Sequence, residues 1–285
     1  MTMSKSQDSS NLPIEKTTKV HTLAVVDPKA ELDYGVVVGP GAVVGADVKI
    51  GANTWVGPNV VLDGCLEIGV NNRIFPGACL GLEPQDLKYK GAPTKVVIGD
   101  QNTIREYVTI NRATEESKET RIGNGNLLMA YCHLGHNSLL GNGIIMSNGI
   151  QVAGHVVIED KAVVGGCVGI HQFVQIGELA MVGGMTKVDR DVPPYCLVEG
   201  YPGRVRALNL VGLRRNGLKN LGSIEFRQLQ QIWTLIFRSD HVLVKSLELA
   251  REQNLMPSAE HLCEFLEASI RKNRRGPMTL TASNN

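Results

Sequence analysis

Aromatic residues make up only 5% of the 285-residue chain, and no apolar run approaches the roughly 18 residues of a membrane-spanning helix, so a membrane span is excluded. The six cysteines, Cys65, Cys79, Cys132, Cys167, Cys196 and Cys263, lie far apart without a CxxC pair. That spacing disfavours a zinc knuckle or a disulfide framework and fits reduced thiols in a cytoplasmic protein. Neither sign of charge dominates: 29 Lys and Arg oppose 28 Asp and Glu, for a net charge of +1. A protein that coats nucleic acid would carry a large basic excess, so no nucleic-acid partner is expected. Residues 1–19 are polar, lack the apolar stretch of a signal peptide, and are expected to be a disordered tail, as are residues 276–285.

What the chain has in quantity is glycine, 31 residues, in a sequence that is 43% hydrophobic. There is no Gly at every third position, which excludes collagen, and the hydrophobic content excludes low-complexity disorder. Many tight turns between short β segments are the remaining reading.

Stepping by six from Val20 gives Val26, Leu32, Val38, Val44, Ile50, Val56, Leu62, Ile68, Ile74 and Leu80, all aliphatic. The phase lapses at Asp86 and Ala92, resumes at Ile98, Ile104 and Ile110, lapses at Glu116, and then runs from Ile122 to Val188. A period of six fits neither a helix nor a plain half-buried strand. It fits a solenoid in which a hexad is one short strand and a turn, and three hexads close a triangular coil. The aliphatic residue points inward and stacks on its equivalents in coils about 4.8 Å away. A Gly often follows it, as at Gly39, Gly45 and Gly51, and is expected there for its permissive backbone angles.

The solenoid is expected over 20–192. Two polar stretches, 82–97 and 111–121, enter without disturbing the phase and should be loops ejected from the prism. After the Pro pair of DVPPY (191–195) a small helical domain is expected over 193–275, with Ser223, Ser239 and Ser258 as caps of helices ending near Arg238, Glu252 and Lys272. Residues 203–275 hold 13 basic and 7 acidic side chains. Arg214, Lys219, Arg238, Arg271, Lys272, Arg274 and Arg275 are therefore candidates for meeting an acidic partner.

With three hexads per coil, residues 18 apart lie one above the other. His136 stacks with Gly154 and Gln172, Asn137 with His155, and Gly135 with Ala153 and His171, while His133 lies three residues before His136. Imidazole at a solenoid surface can take a proton from an alcohol near neutral pH, and a neighbouring Gly leaves a backbone N–H open to an oxyanion. His136 and Gly154 are thus the candidate base and oxyanion donor. His133, His136 and His155 could alternatively hold a metal in a hydratase, or have no chemical role in a scaffold.

The repeat, QDLKY at 85–89, IREYVTINR at 104–112, NLLMAYCHLGHN at 126–137, QVAGHV at 151–156, GIHQFVQIG at 169–177, DVPPY and LNLVGLRR at 208–215 together resemble the UDP-N-acetylglucosamine O-acyltransferases of lipid A synthesis. The resemblance runs from about Val20 to Arg271. It implies a mainly β protein, a left-handed parallel β-helix followed by a small α-helical domain, assembled as a homotrimer with sites between subunits. It implies transfer of an (R)-3-hydroxyacyl chain from acyl carrier protein to the 3-hydroxyl of UDP-N-acetylglucosamine, without metal or cofactor. By motif, His136 matches the general base and Gly154 the oxyanion amide. Asp86, Lys88 and His133 match contacts to the glucosamine and acyl chain; His155, His171, Gln172, Asn209 and Arg215 match the sugar and nucleotide side; Gly184 matches the end of the acyl groove. Three positions depart from the pattern. Asn137 replaces an Asp common after the base, Asn111 a common His, and Asn216 a common Arg. Asn after the His also occurs in the related N-acyltransferase of the same pathway, which is the alternative enzyme.

Overall fold

The computed structural model describes residues 17–220 and 222–280. Short strands recur every six residues and stack in three mostly parallel sheets of eleven, nine and eight strands, the three faces of a left-handed β-helix. Strands three apart in sequence are hydrogen-bonded neighbours, as in His133↔Gln151 and Leu134↔Val152, so the register step is 18 residues. Left-handed crossovers between parallel strands break the usual rule, which rests on long helical connections that these tight corners lack.

The inward aliphatic residues form the core. Ile74, Ile104, Leu128 and Met146 stack along the first face, Leu80, Ile110, Leu134 and Val152 along the second, and Ile98, Ile122, Leu140 and Ile158 along the third, all buried. The first coil is the open end of the stack, where Val20 stays 45% exposed. Each fully buried aliphatic side chain contributes roughly 1.5–3 kcal/mol, which explains why the hexad phase is so closely kept.

The reason for Gly after the aliphatic residue differs from the expectation. Gly39 and Gly135 do not adopt left-handed angles; a Cβ on Gly39 would lie 2.9 Å from the Pro58 nitrogen, and one on Gly135 would lie 2.8 Å from the Ala153 carbonyl carbon. The next coil leaves no room there. The left-handed position falls two residues later, and is filled by Gly41 and also by Asn59, Asn137, His155 and Phe173.

Buried polar residues replace aliphatic ones at the edge joining the third face to the first. Asn72, Asn102 and Asn126 are almost wholly buried. Asn102 donates to the Asn72 side-chain oxygen at 3.1 Å, Asn126 donates to that of Asn102 at 3.0 Å, and the Asn126 oxygen accepts from the Ile144 N–H at 2.7 Å. This ladder spans the two coils that eject the loops, and each amide satisfies its neighbour.

Beyond the last coil lie α1 (Leu210–Arg215), α2 (Ile224–Arg238), α3 (Leu243–Arg251) and α4 (Pro257–Ser269). Ser223 caps α2, its hydroxyl accepting from the Phe226 N–H. Two expected caps fail. Ser239 Oγ instead donates back to the Leu235 carbonyl at 2.6 Å, and α3 begins four residues later. Ser258 lies inside α4, which starts at Pro257, because Pro needs no N–H partner in a first turn. The short α1 was not anticipated; Asn209 caps it, accepting from the Gly212 N–H at 3.0 Å.

The expected disordered ends fall partly outside the described residues, at 1–16 and 281–285. Where described, the C-terminal segment is ordered: the Met278 N–H donates to the Asp191 carbonyl at 2.8 Å and its side chain is fully buried. Sequence composition did not reveal this, because the partner of the segment is the distant last coil.

Candidate functional site

The second and third faces meet at an edge where the polar residues point outward. His136 sits there, two residues after the inward Leu134, and Asn137 follows with φ 61°. The left-handed angle at Asn137 turns its side chain back onto its neighbour. His136 Nδ1 and Asn137 Oδ1 are 2.8 Å apart. In the coil above, Gly154 lies against the imidazole: a Cβ there would be 2.5 Å from His136 Cε1 and 2.6 Å from Nε2. Only Gly admits the ring at that place.

The Gly154 N–H is free for a reason built into the fold. It occupies the second position after an inward residue, where the regular coil-to-coil ladder uses no N–H, Arg112 at the base of a loop excepted, and Pro stands at Pro40, Pro58 and Pro76. Among the described residues it donates to no acceptor. A donor with no structural duty beside an imidazole is what an oxyanion site requires.

Around this pair, the His155 ring meets His136 edge-on at 5.1 Å and stacks on Phe173 at 4.7 Å. Burial, with the His136 ring adding to it, holds the His155 imidazole below its ordinary pKa. His133 is shifted the same way for the same two reasons, and its Nδ1 is 2.8 Å from the Thr109 hydroxyl. Both therefore favour the neutral form. Asp86 and Glu115 act on His155 in the opposite sense, so the ejected loops bring carboxylates close to this edge. Asp86 Oδ1 accepts from the Lys88 N–H at 2.9 Å, which shapes the tip of the first loop, and the Lys88 side chain is exposed.

A groove of about 540 Å³ runs beside the edge over the second face, lined by His133, Gln151, Ala153, Gly169, His171 and Lys187, with Cys167, Met185 and Tyr201 at its far side. Gly169 has nothing within 4 Å of where a Cβ would stand, so the missing side chain opens the groove. Gly184 lies on the edge between the first and second faces; its neighbour Met185, rather than Gly184 itself, lines the groove. Gln172 and His171 border a second hollow of about 230 Å³ with Arg190, Arg274 and Arg275.

Not all candidates converge. Asn209 donates from Nδ2 to the Leu179 carbonyl at 2.8 Å, which fixes it on the edge between the third and first faces, and Arg215 ends the helix that Asn209 caps. Within one chain these two stand on a different edge of the prism from His136. Of the basic candidates, Arg274 is committed to Asp191, at 2.7 Å, and is not free for a partner. Among the described residues no three His, Cys, Asp or Glu are arranged to hold a metal ion. Among the described residues no helix is long and apolar enough to cross a membrane.

Sequence reasoning passed over Phe173, Thr114 and Thr120. The 18-residue step places Phe173 on His155, so that signal was present. Thr120 accepts from the Asn137 N–H at 2.9 Å and lies 18 residues before Ser138, also within reach of the arithmetic. Thr114 lies in an ejected loop, outside any register.

The comparisons with known proteins agree in kind. A family profile described as Udp N-acetylglucosamine O-acyltransferase, Domain 2, matches residues 191–278. A protein of Gloeothece citriformis named acyl-[acyl-carrier-protein]–UDP-N-acetylglucosamine O-acyltransferase is 52% identical over 220 residues, 77% of this chain and 79% of its own. A protein of the same name from Alkalilimnicola ehrlichii is 47% identical over 258 residues, 89% of this chain and 98% of its own. The solved UDP-N-acetylglucosamine acyltransferase of Campylobacter jejuni superposes with a TM-score of 0.84 at 36% identity, covering 93% of this chain and 100% of that one. Shared identity over most of both lengths, on the same coiled architecture, places the chain in the UDP-N-acetylglucosamine O-acyltransferase family.

Proposed function

We propose that the protein transfers an (R)-3-hydroxyacyl group from acyl carrier protein to the 3-hydroxyl of UDP-N-acetylglucosamine, the first step of lipid A synthesis, in the cytoplasm. The single observation that carries this reading is the His136 ring, held by Asn137 and seated on Gly154, whose N–H has no acceptor among the described residues. His136 Nε2 removes the proton from the sugar hydroxyl as its oxygen attacks the thioester carbonyl carbon. The Gly154 N–H receives the oxyanion of the tetrahedral intermediate. Collapse expels the carrier thiolate, to which the imidazolium returns the proton, leaving ester, thiol and neutral His136.

His133, Asp86 and Lys88 hold the glucosamine and the start of the acyl chain, and His155, His171 and Gln172 its nucleotide side. The groove over the second face takes the chain, with Met185 at its far wall setting length and Gly184 beside it outside the lining. Asn209 and Arg215 stand on another edge, so they reach a His136 site only on a neighbouring copy. This supports a homotrimer whose sites lie between subunits, with Arg215 toward a phosphate oxygen. The remaining basic side chains of the helical domain, exposed at Arg214, Arg271 and Lys272, favour the acidic carrier.

Incubation with UDP-N-acetylglucosamine and a panel of acyl-carrier thioesters should yield a 3-O-acyl ester and one equivalent of thiol. Transfer only to the free amine of a glucosamine acceptor would overturn the assignment in favour of N-acylation.

A further inference from the structure

Three donors meet at one atom of the candidate base's support. Asn137 Oδ1 is 3.1 Å from the Thr114 backbone nitrogen, 2.9 Å from the Thr114 hydroxyl and 2.8 Å from His136 Nδ1. A backbone N–H can only donate, so the amide atom facing Thr114 is the oxygen and not the NH₂. The same oxygen then faces His136, which must present Nδ1–H. Nε2 keeps its lone pair.

We propose that Thr114 is a positioning residue: it holds the Asn137 amide in one orientation and thereby fixes the imidazole of His136 in the Nδ1–H tautomer. A carboxylate at position 137 would accept through either oxygen and need no such lock. An amide turned by half a circle instead offers NH₂ to Nδ1, which moves the proton to Nε2 and removes the base. Thr120 completes the support from the strand Glu119–Ile122 to which the loop returns, its hydroxyl accepting from the Asn137 N–H at 2.9 Å. A polar loop that looks like a surface insertion and the strand after it thus converge on one side chain beside the reacting centre.

This role rests on His136 being the base of the transfer proposed above, and it is tested with one readout that needs no substrate. In the full-length protein labelled with ¹⁵N-histidine, the His136 resonances are identified by their loss in His136→Gln. Wild type should show Nδ1–H, and Thr114→Val, which keeps the backbone donor and loses only the hydroxyl, should show a mixture that includes Nε2–H. In turnover, Thr114→Val should lower kcat about tenfold, the order of one lost hydrogen bond, with KM for both substrates within about twofold. Thr114→Ser should recover both readouts. In an Asn137→Asp background the Thr114→Val change should cost clearly less, because the carboxylate has no wrong orientation. Thr114→Ala gives the same comparison if the Val variant does not fold. An Nε2–H wild type, or a Thr114→Val enzyme with unchanged kcat and tautomer, would overturn the role. Nδ1–H in a wild type that transfers no acyl group would uphold the positioning by Thr114 and sink only the acyl-transfer reading.

Discussion

Two edges of the same prism carry clusters of polar side chains, and they differ in which hexad position those side chains occupy. At the edge between the third and first faces Asn72, Asn102 and Asn126 take an inward position, are almost wholly buried and spend their hydrogen bonds on one another and on the backbone of the coils. At the edge between the second and third faces His136 and His155 take corner positions, where their rings meet each other, Gly154 and Phe173 but keep ring nitrogens open. The backbone geometry is the same at both. Position in the repeat decides whether a polar group holds the coil together or remains available for chemistry.

The comparison breaks most sharply at His136. His136→Ala should lower kcat by about 10²–10⁴, the usual cost of removing a general base, while leaving the melting temperature within about 1 °C of wild type. Retained turnover would remove His136 from the mechanism, and a large fall in melting temperature would make it a structural residue like the asparagines. Gly154→Ala should come next. Its Cβ would stand 2.5 Å from the ring, and a displacement of about 1 Å can cost about 10² in rate. Unchanged kcat would mean that the ring can move aside without consequence.

The mirror test lies on the other edge. Asn102→Ala leaves the buried Asn126 N–H without its acceptor and should cost about 1–3 kcal/mol of stability in denaturant unfolding, with kcat per folded enzyme unchanged. A loss of activity without loss of stability would reverse the distinction between the two edges. The smallest effect concerns a third cluster, which ties the helices to the third face. His261 Nε2 is 3.0 Å from Glu159, and Nδ1 is 2.9 Å from the Tyr195 hydroxyl. The hydrogen bond to Glu159 raises the His261 pKa above its ordinary value, against the opposing effect of burial. A raised folded pKa stabilises fully below about pH 6.5, the unfolded value, and the contribution disappears as pH rises through the folded one. His261→Gln should therefore lower the melting temperature at pH 6 and approach wild type by pH 9. An equal deficit at both would show that charge is not involved.

How much of this was legible depends on distance from the repeat. The hexad phase located one buried aliphatic in each strand from Val38 to Val188 but not the second inward set two residues earlier, such as Val36, Val60, Val108, Ile144 and Val168, and the 18-residue step put His136 under Gly154 and Asn137 under His155 without any structure. It would also have found Phe173 and Thr120. The helix caps were read less well, since Ser239 and Ser258 offer the right side chain in places where the chain turns differently. Asn209 was singled out as a contact, and in the structure its side chain both caps α1 and bonds Leu179.

By itself the sequence determined the solenoid, because one aliphatic side chain per strand must face a closed core, and a shift of even one residue would turn every such side chain to solvent. It determined the histidine edge for the same reason, since register fixes which corner residues are neighbours. Tertiary structure alone decided where the ejected loops return: Thr114 reaches Asn137, Asp86 approaches the His155 edge, and 276–280 pairs with the last coil. Those contacts join residues with no periodic relation, so nothing in the local sequence encodes their distance. They form only when a rigid lattice of coils presents the matching groups.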